Sequence, residues 1–240
     1  MYSVNELEDR LIDLAFAEDI GDGDHTTLCC IPEDAMGKSH LLIKEDGILA
    51  GVEVAKRVFA RFDNTMKVEV LMQDGTRVHK GDVAMVVTGK VRSLLQTERL
   101  MLNIMQRMSG IATMTNRYVE RLKGTNTHVL DTRKTTPGMR ILEKQAVKIG
   151  GGMNHRIGLF DMILLKDNHV DFAGGIKNAI TRCHEYLKEK NLDLKIELEV
   201  RNFDELNQAL ECGGINRIML DNFSVPDTAK AVKIINGKYE

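Results

Sequence analysis

Hydrophobic residues recur at helical spacing at the start of the chain, from Leu7 to Ala15, and the turn at Gly21 ends this predicted helix. Three strand-like segments follow, each with an Asp-Gly, Lys-Gly or Thr-Gly turn signal, and they predict strands within residues 40–51, 66–78 and 82–91. Helices are predicted over residues 52–62 and 94–122. Gly110 lies in the longer helix and can divide it into two. The first half of the chain is therefore predicted to form an open sheet with helices on one side.

From residue 127 onward, short apolar segments alternate with amphipathic ones. The predicted strands are residues 127–131, 146–150, 162–167, 194–200 and 217–221. The predicted helices are residues 138–146, 173–188, 203–212 and 225–235. Apolar strands that alternate with helices indicate parallel strands, in either an α/β barrel or a doubly wound sheet. In both folds the chemistry gathers at the carboxyl ends of the strands.

Charged and amide side chains lie at the end of each predicted strand. They are Asp131, Arg133 and Lys134; Asn154, His155 and Arg156; Lys166, Asp167, Asn168 and His169; Glu197 and Glu199; and Asp221 and Asn222. Five groups in phase with the strands indicate an active site more strongly than a solvated surface. Arginine pairs with carboxylate or phosphate through a planar fork, and lysine supplies a mobile point charge. Carboxylates would repel an anion unless a divalent cation lay between them, so the pattern predicts a site for a polyanion and Mg²⁺.

Three features of this region allow a structural interpretation beside the functional one. The run Gly150–Gly152 is either a flexible turn or a backbone that must approach a ligand closely. His155 and His169 can be structural hydrogen-bonding histidines as well as site residues. Glu197 and Glu199 share one face of their strand. In a barrel that face is the interior, where carboxylates are costly unless they serve ligands or cations, which favours function for this pair.

The composition argues against several other classes of protein. Lys and Arg number 33 against 35 Asp and Glu, so the chain lacks the basic excess of a general nucleic-acid or membrane-surface binder. No segment approaches the roughly 20 apolar residues of a membrane span or resembles a signal peptide. The four cysteines have no metal-binding spacing, which favours reduced thiols. The sequence therefore predicts a soluble, cytoplasmic protein. It contains no GxGxxG or GxxxxGK[ST] motif, which argues against a dinucleotide-binding fold and a P-loop nucleotidase.

Several motifs occur in the order and spacing of a known family. In the second half of the chain they are DTRKTTPG (131–138), GGGMNHRIGLFDMILLKDNH (150–169), ELEV (197–200) and MLDN (219–222). In the first half they are EDIGDGDHTT (18–27), DGTRVHKGD (74–82) and ERLMLNIMQRMSGIAT (98–113). Over essentially its whole length, the chain thus resembles the quinolinate phosphoribosyltransferase family of type II phosphoribosyltransferases.

The resemblance implies an α/β fold with an N-terminal α/β sandwich domain (residues 1–108) and a catalytic α/β barrel domain (residues 109–240). The family's barrel continues beyond the MLDN strand with glycine-rich segments that bind the ribose 5-phosphate, so an incomplete, open barrel is expected here. The implied reaction transfers phosphoribosyl from phosphoribosyl pyrophosphate to quinolinate, with loss of CO₂ and pyrophosphate, to give nicotinate mononucleotide in NAD biosynthesis. The implied cofactor is Mg²⁺, and the implied assembly is a homodimer with shared active sites.

The resemblance also implies roles for individual residues. The substrate-binding residues would be Arg99, Arg133, His155, Arg156 and Lys166. The catalytic residues would be Lys134, Lys166, Glu199 and Asp221. In the family, the residue that matches Arg99 reaches across the dimer interface to a quinolinate carboxylate. Glu199 and Asp221 would contact the ribose hydroxyls or the Mg²⁺, the latter indirectly.

Two other interpretations stay open. A paralogue for another aromatic acid, such as nicotinate phosphoribosyltransferase or a molybdenum-associated homologue, would share the fold, although three arginines for two carboxylates favour quinolinate. A non-catalytic binding protein is the alternative from another class, because residues 74–91 resemble the hairpin of a biotinyl or lipoyl carrier. That hairpin lacks the turn that carries the modified lysine in such carriers.

Overall fold

The computed structural model describes residues 3–240, and this part of the chain divides into two compact units, residues 3–155 and Arg156–Glu240. The helices of the first unit are α1 (Val4–Ile20), α2 (His25–Cys30), α3 (Val52–Phe62), α4 (Val91–Arg121) and α5 (Arg140–Ile149). Its strands are β1 (Met36–Leu42), β2 (Gly47–Ile48), β3 (Lys67–Val70), β4 (Arg77–Val78) and β5 (Val83–Lys90). The second unit contains strands β6 (Ile163–Leu165), β7 (Ile196–Val200) and β8 (Arg217–Leu220). Its helices are α6 (Asp167–Ala173), α7 (Ile176–Lys190), α8 (Phe203–Cys212) and α9 (Val225–Ile235).

An antiparallel sheet of order β1-β5-β3 forms the scaffold of the first unit, beside the short pair β2-β4. The central strand β5 is the most buried strand of this unit, and α3 and α4 share one hydrophobic core with it. Side chains of α4 also satisfy the backbone of the neighbouring loop. Thr113 Oγ1 accepts from the Ile48 amide at 2.8 Å, and Ser109 Oγ accepts from the Ala50 amide at 2.9 Å. The long helix is thus joined to the sheet region by both apolar and polar contacts.

A parallel sheet of order β6-β7-β8 forms the scaffold of the second unit. Its central strand β7 is buried at Ile196, Leu198 and Val200, and helices α7, α8 and α9 contribute to the same core. Two of these helices begin at side-chain caps: Asn202 accepts from the Glu205 amide, and Ser224 accepts from the Asp227 amide. Within the described part of the chain this sheet is not closed, which confirms the expected open α/β barrel.

Several sequence-based elements are confirmed, and others are wrong. The predicted helices 52–62, 203–212 and 225–235 coincide with α3, α8 and α9. The predicted strand 146–150 instead forms the end of α5, because a five-residue apolar run does not distinguish a strand from a buried helical turn. Residues 127–131 contribute only a parallel bridge, from Leu130 to Met153. Gly110 does not divide α4, which is continuous.

The compact units do not follow the predicted domain boundary after residue 108. The first unit extends to His155 because α5 packs against α4, so residues 109–155 cluster with the N-terminal sheet. A compact unit of the structure and a domain shared by a family need not have the same boundary. The division into residues 1–108 and 109–240 therefore stays a prediction.

The glycine run that follows α5 is explained by packing against α4. A Cβ atom on Gly150 would lie 2.4 Å from the Ala112 carbonyl oxygen, and one on Gly152 would lie 2.9 Å from Thr115 Cγ2. Gly151 has a φ of +92°, a conformation that favours glycine. The sequence analysis offered a close approach of this backbone to a ligand as one interpretation. The close contacts that the structure shows for Gly150 and Gly152 are with protein atoms of the first unit.

This packing predicts opposite effects on stability for two alanine substitutions, one at Gly150, which packs against α4, and one at Gly110 within α4. Gly150→Ala should destabilise the protein by about 1–3 kcal/mol, because the new methyl group must displace helix backbone. Gly110→Ala is the matched control. A Cβ atom there meets nothing within 4 Å, so this change should stabilise the helix by about 0.5–1 kcal/mol. Urea unfolding of the two variants tests both signs, and wild-type stability of Gly150→Ala would contradict the packing account.

Candidate active site

The Asp131 carboxylate is the centre of a buried polar network in the first unit. Its side chain is 7% exposed, and that of its ion-pair partner Lys144, on α5, is 4% exposed. Asp131 also accepts hydrogen bonds from the Asn154 side-chain amide and, at 2.9 Å, from the His155 backbone amide. Lys144 Nζ donates in addition to the His155 carbonyl oxygen at 3.3 Å. Two amide donors and the Lys144 ammonium group thus satisfy a carboxylate that would be costly to bury alone.

Arg133 lies two residues beyond this carboxylate and has a buried donor without a partner. Its Nε is buried and makes no hydrogen bond within residues 3–240. The backbone of this segment is held by Arg140, which donates to Thr135 Oγ1 at 3.1 Å and to the Arg133 carbonyl oxygen at 3.4 Å. The neighbouring Lys134 side chain is exposed. An unsatisfied guanidinium donor beside an exposed ammonium group is suited to bind an anion.

A second ion pair holds the other end of the same loop. Arg107 of α4 donates to Glu143 Oε1 of α5 at 2.7 Å and to Thr136 Oγ1 at 2.9 Å. The Thr136 amide in turn donates to Glu143 Oε2 at 3.3 Å. Helix α5 therefore fixes the loop that carries Arg133 and Lys134 at both ends.

In the second unit, Lys166 follows β6 and begins α6. The backbone amide of Lys166 donates to His169 Nδ1 at 3.0 Å, so this imidazole caps the first turn of the helix. For His169 the structural interpretation therefore has direct support. The Lys166 side chain is 48% exposed, and its Nζ lies 3.8 Å from Glu199 Oε2 on the neighbouring strand. An exposed ammonium group at the carboxyl edge of a parallel sheet can reach a ligand there.

The two glutamates of β7 have different environments, although the sequence places them on the same face. The Glu197 side chain is 1% exposed and pairs with Arg217 of β8 at 3.5 Å, which assigns it a structural role. Glu199 is 12% exposed on its side chain. Burial raises the pKa of Glu199 above its ordinary value, the Lys166 ammonium opposes this shift, and Asp221 and Asp167 add to it. A raised pKa of this kind is typical of functional carboxylates.

Asp221 follows β8, and its backbone amide donates to the Val200 carbonyl oxygen of β7 at 3.0 Å. Its carboxylate accepts from the Asn222 side chain at 2.9 Å. The negative charge of Asp221 also contributes to the raised pKa of Glu199. Two carboxylates at this edge supply the oxygen ligands that Mg²⁺ prefers, and the ion usually binds one or two carboxylates together with substrate phosphates. Among residues 3–240, no group of three or more His, Cys, Asp or Glu side chains could hold a metal ion without such help.

Arg156 and Arg99 complete the set predicted from the sequence. Arg156 Nη1 donates to the Met162 carbonyl oxygen at 3.1 Å, and Asp161 orders the following turn by accepting from the Ile157 and Gly158 amides. Arg99 is exposed on α4 and has no polar partner within the described residues. The structure thus groups Arg133, Lys134 and His155 in the first unit. It groups Arg156, Lys166, Glu199 and Asp221 in the second unit.

The sequence analysis missed the residues that support these groups. Arg140, Lys144 and Asp161 hold the segments that carry the predicted site residues. Lys144 is a buried lysine in an amphipathic helix, where the helical pattern places charged residues on the solvent side. An unusual charged residue on the apolar face of the predicted helix 138–146 was the signal for Lys144, and the sequence analysis did not use it.

Fold and site together define a class of protein: an α/β enzyme with arginine, lysine and paired carboxylate side chains grouped near the carboxyl edge of its strands. The quinolinate phosphoribosyl transferase N-terminal domain model matches residues 24–109, and the C-terminal domain model matches residues 111–240. The chain belongs to the quinolinate phosphoribosyltransferase family. Within the described residues, none of the helices has the length and apolar character needed to cross a membrane.

Named relatives agree with this assignment. The chloroplastic nicotinate-nucleotide pyrophosphorylase [carboxylating] of Arabidopsis thaliana is 45% identical over 245 residues, covering 96% of this chain and 70% of the relative. Quinolinate phosphoribosyltransferase [decarboxylating] 1b of Nicotiana tabacum is 43% identical, covering 96% and 69%. The crystal structure of NadC from Streptococcus pyogenes is 38% identical with a TM-score of 0.91, covering 100% of this chain and 83% of that one.

The raised pKa of Glu199 predicts that this side chain destabilises the fold at neutral pH. A carboxyl whose folded-state pKa is raised holds its proton more tightly in the folded state. Its ionisation therefore costs stability once the pH rises above the unfolded-state pKa. Glu199→Gln should raise Tm at pH 7.5 by about 2 °C, and this gain should disappear at acid pH. Glu205→Gln, which removes the Arg201 partner on α8, is the control and should lower Tm or leave it unchanged. A lower Tm for Glu199→Gln at pH 7.5 would contradict the prediction.

Proposed function

We propose that this chain carries out the family reaction with the residues grouped above: phosphoribosyl transfer from phosphoribosyl pyrophosphate to quinolinate, with loss of CO₂ and pyrophosphate, to form nicotinate mononucleotide. One observation carries the residue-level proposal. Arg133 has a buried Nε without a partner, in a loop held in place by Arg140, Glu143 and Lys144. A fixed, unsatisfied guanidinium is suited to a planar carboxylate, and quinolinate has two.

The residues have distinct tasks in this reaction. Arg133, Arg156 and His155 orient the dicarboxylate so that the pyridine nitrogen faces the anomeric carbon, which is catalysis by proximity. The nitrogen forms its bond to that carbon as the carbon–oxygen bond to pyrophosphate breaks, and the bonding electrons leave with the pyrophosphate. Lys134 and Lys166 stabilise the negative charge on this leaving group, and Glu199 and Asp221 offset the positive charge on the sugar. No covalent bond to the protein is needed.

Loss of CO₂ follows from the charge on the ring. After transfer, the ring nitrogen is cationic, so the 2-carboxylate can leave as CO₂ while its bonding electrons stay on the ring carbon beside that nitrogen. A proton then takes this position, which completes nicotinate mononucleotide. Mg²⁺, held by the substrate's diphosphate and indirectly by Glu199 and Asp221, would neutralise charge on the leaving pyrophosphate.

A homodimer with shared active sites is part of the proposal. Arg99 supports it, because it is exposed on α4 and, within residues 3–240, its guanidinium has no polar partner. An exposed arginine can serve a carboxylate bound in another subunit. A single-subunit site is the alternative that the test below separates from this one.

A cytoplasmic location is likewise a proposal. Its support is that Cys29, Cys30, Cys183 and Cys212 are all free thiols, as expected in a reducing compartment. The names of several plant relatives state that those proteins are chloroplastic or mitochondrial. Fractionation of cells that express the chain, followed by immunoblotting, distinguishes these locations.

The first test of the function concerns carboxylate recognition. Arg133→Lys and Arg156→Lys should each weaken quinolinate binding by about 1.5–3 kcal/mol, because lysine cannot reproduce the bidentate contact. Arg121→Lys, an exposed change in the last turn of α4, is the matched control and should bind quinolinate as the wild type does. Calorimetric titration measures all three. Nicotinate, with one carboxylate fewer, should bind poorly to the wild type, and equal affinity for the two acids would contradict the choice of quinolinate.

The second test concerns the shared site. Arg99→Ala and Arg133→Ala homodimers should both be inactive, but mixing the two chains should restore part of the activity. A hybrid dimer would contain one site with neither substitution. Differently tagged chains allow the hybrid to be isolated and assayed for nicotinate mononucleotide. An inactive hybrid, with both chains shown to be folded, would indicate a site built within one subunit.

A further inference from the structure

The buried ion pair between Asp131 and Lys144 joins three segments of the first unit. Leu130 and Met153 form a parallel bridge, with the Met153 amide donating to the Val129 carbonyl oxygen at 2.8 Å and the Asp131 amide donating to the Met153 carbonyl oxygen at 3.2 Å. The side chains of the pair extend this connection beyond the bridge. Asp131 directly follows Leu130 of the bridge, and Lys144 lies on α5. Both side chains form hydrogen bonds with the backbone of His155, in the segment that follows Met153.

Both backbone groups of His155 are held by this pair. Its amide donates to Asp131 Oδ1 at 2.9 Å, and its carbonyl oxygen accepts from Lys144 Nζ at 3.3 Å. Asn154 adds a third connection, because its side-chain amide donates to Asp131 and, at 2.8 Å, to the Lys144 carbonyl oxygen. The direction of the His155 backbone is therefore fixed by charged partners instead of by regular secondary structure.

The energetics favour a role in positioning over one in stability. A buried ion pair loses hydration when the chain folds, and apolar residues of similar volume are often as stabilising or more so. What the pair supplies is geometry, since a carboxylate with three fixed donors restricts the arrangement of the segments that carry them. Those segments carry Arg133 and His155.

We infer that Asp131 and Lys144 are positioning residues for the quinolinate carboxylates. They hold the Arg133 and His155 segments at a fixed separation and do not contact the substrate themselves. This inference rests on the proposed function for the identity of the ligand. A change in the pair should therefore lower quinolinate affinity in protein that is still folded, while phosphoribosyl pyrophosphate is affected less.

The experiment compares Asp131→Asn, Lys144→Met and the double variant with the wild type. Lys148→Met, which removes an exposed lysine from the next turn of α5, is the matched control. Lys144→Met leaves Asp131 as an unpaired buried charge, so its Tm should fall, and the double variant should recover part of that loss. In contrast, KM for quinolinate should rise about tenfold or more in every variant of the pair, including the double variant. The control should match the wild type.

A purely structural role predicts a different outcome. In that case the double variant, once its Tm recovers, would bind quinolinate as the wild type does, and that result would overturn the inference. Should the single variants fail to fold, the double variant, which has no unpaired buried charge, still tests the inference.

A readout that does not need activity separates this inference from the proposed function. Hydrogen exchange at the His155 amide should be faster in Asp131→Asn than in the wild type or in Lys148→Met, because that amide donates to Asp131. If the wild type did not turn over quinolinate, the proposed function would fail, and this exchange measurement would still decide the structural part. Unchanged exchange would refute the inference even in an active enzyme.

Discussion

The buried carboxylate of Asp131 is the constraint on which the geometry of the first site group depends. A charge in this position requires donors, and the chain supplies them from α5 and from residues 154–155. Those donors can reach Asp131 only if the chain turns back directly after α5. The turn requires the close contact of Gly150 with α4, where any side chain would clash with Ala112. The position of His155 therefore depends both on the ion pair and on the glycine run that lets the chain turn back after α5.

The strand ends of the second unit show how position alone separates two identical residues. Glu197 and Glu199 share one face of β7, yet Arg217 neutralises Glu197 inside the sheet. Glu199 lies two residues nearer the carboxyl end, where burial raises its pKa, the half-exposed Lys166 ammonium group opposes this shift, and Asp221 and Asp167 add to it. Glu197 thus stabilises the sheet through its ion pair. The carboxylate of Glu199 is suited to interact with a cationic sugar or a metal–phosphate complex. A raised carboxyl pKa of this kind is typical of functional sites.

The fold could be predicted where local signals agreed with packing. Helices α8 and α9 were predicted to the residue from the sequence pattern, and the structure shows that Asn202 and Ser224 cap their first turns. The segment 146–150 failed because Ala146 and Val147 lie on a helix face that packs inward, and five residues show no period. Helix α6 was missed, since its first turn depends on a histidine cap that follows no common capping pattern.

The candidate site divides in the same way. Its charged residues could be found because they follow predicted strands, and the family motifs contain them. The residues that hold these side chains in place could not be found. Lys144 and Arg140 act through hydrogen bonds from α5 to the preceding loop, and no local sequence pattern indicates such tertiary contacts.

The distribution of paired and unpaired cations gives the last step of the argument. Many arginines of this nearly neutral chain are neutralised by its own carboxylates, among them Arg57, Arg61, Arg107, Arg201 and Arg217. Arg133 has no such ion pair within residues 3–240, although Asp131 lies only two residues away. The oxygens of Asp131 are already engaged by Lys144, Asn154 and the His155 amide. Because the network occupies the nearest carboxylate in the sequence, the Nε donor of Arg133 is left without a partner among the described residues, as the proposed contact with a substrate carboxylate requires.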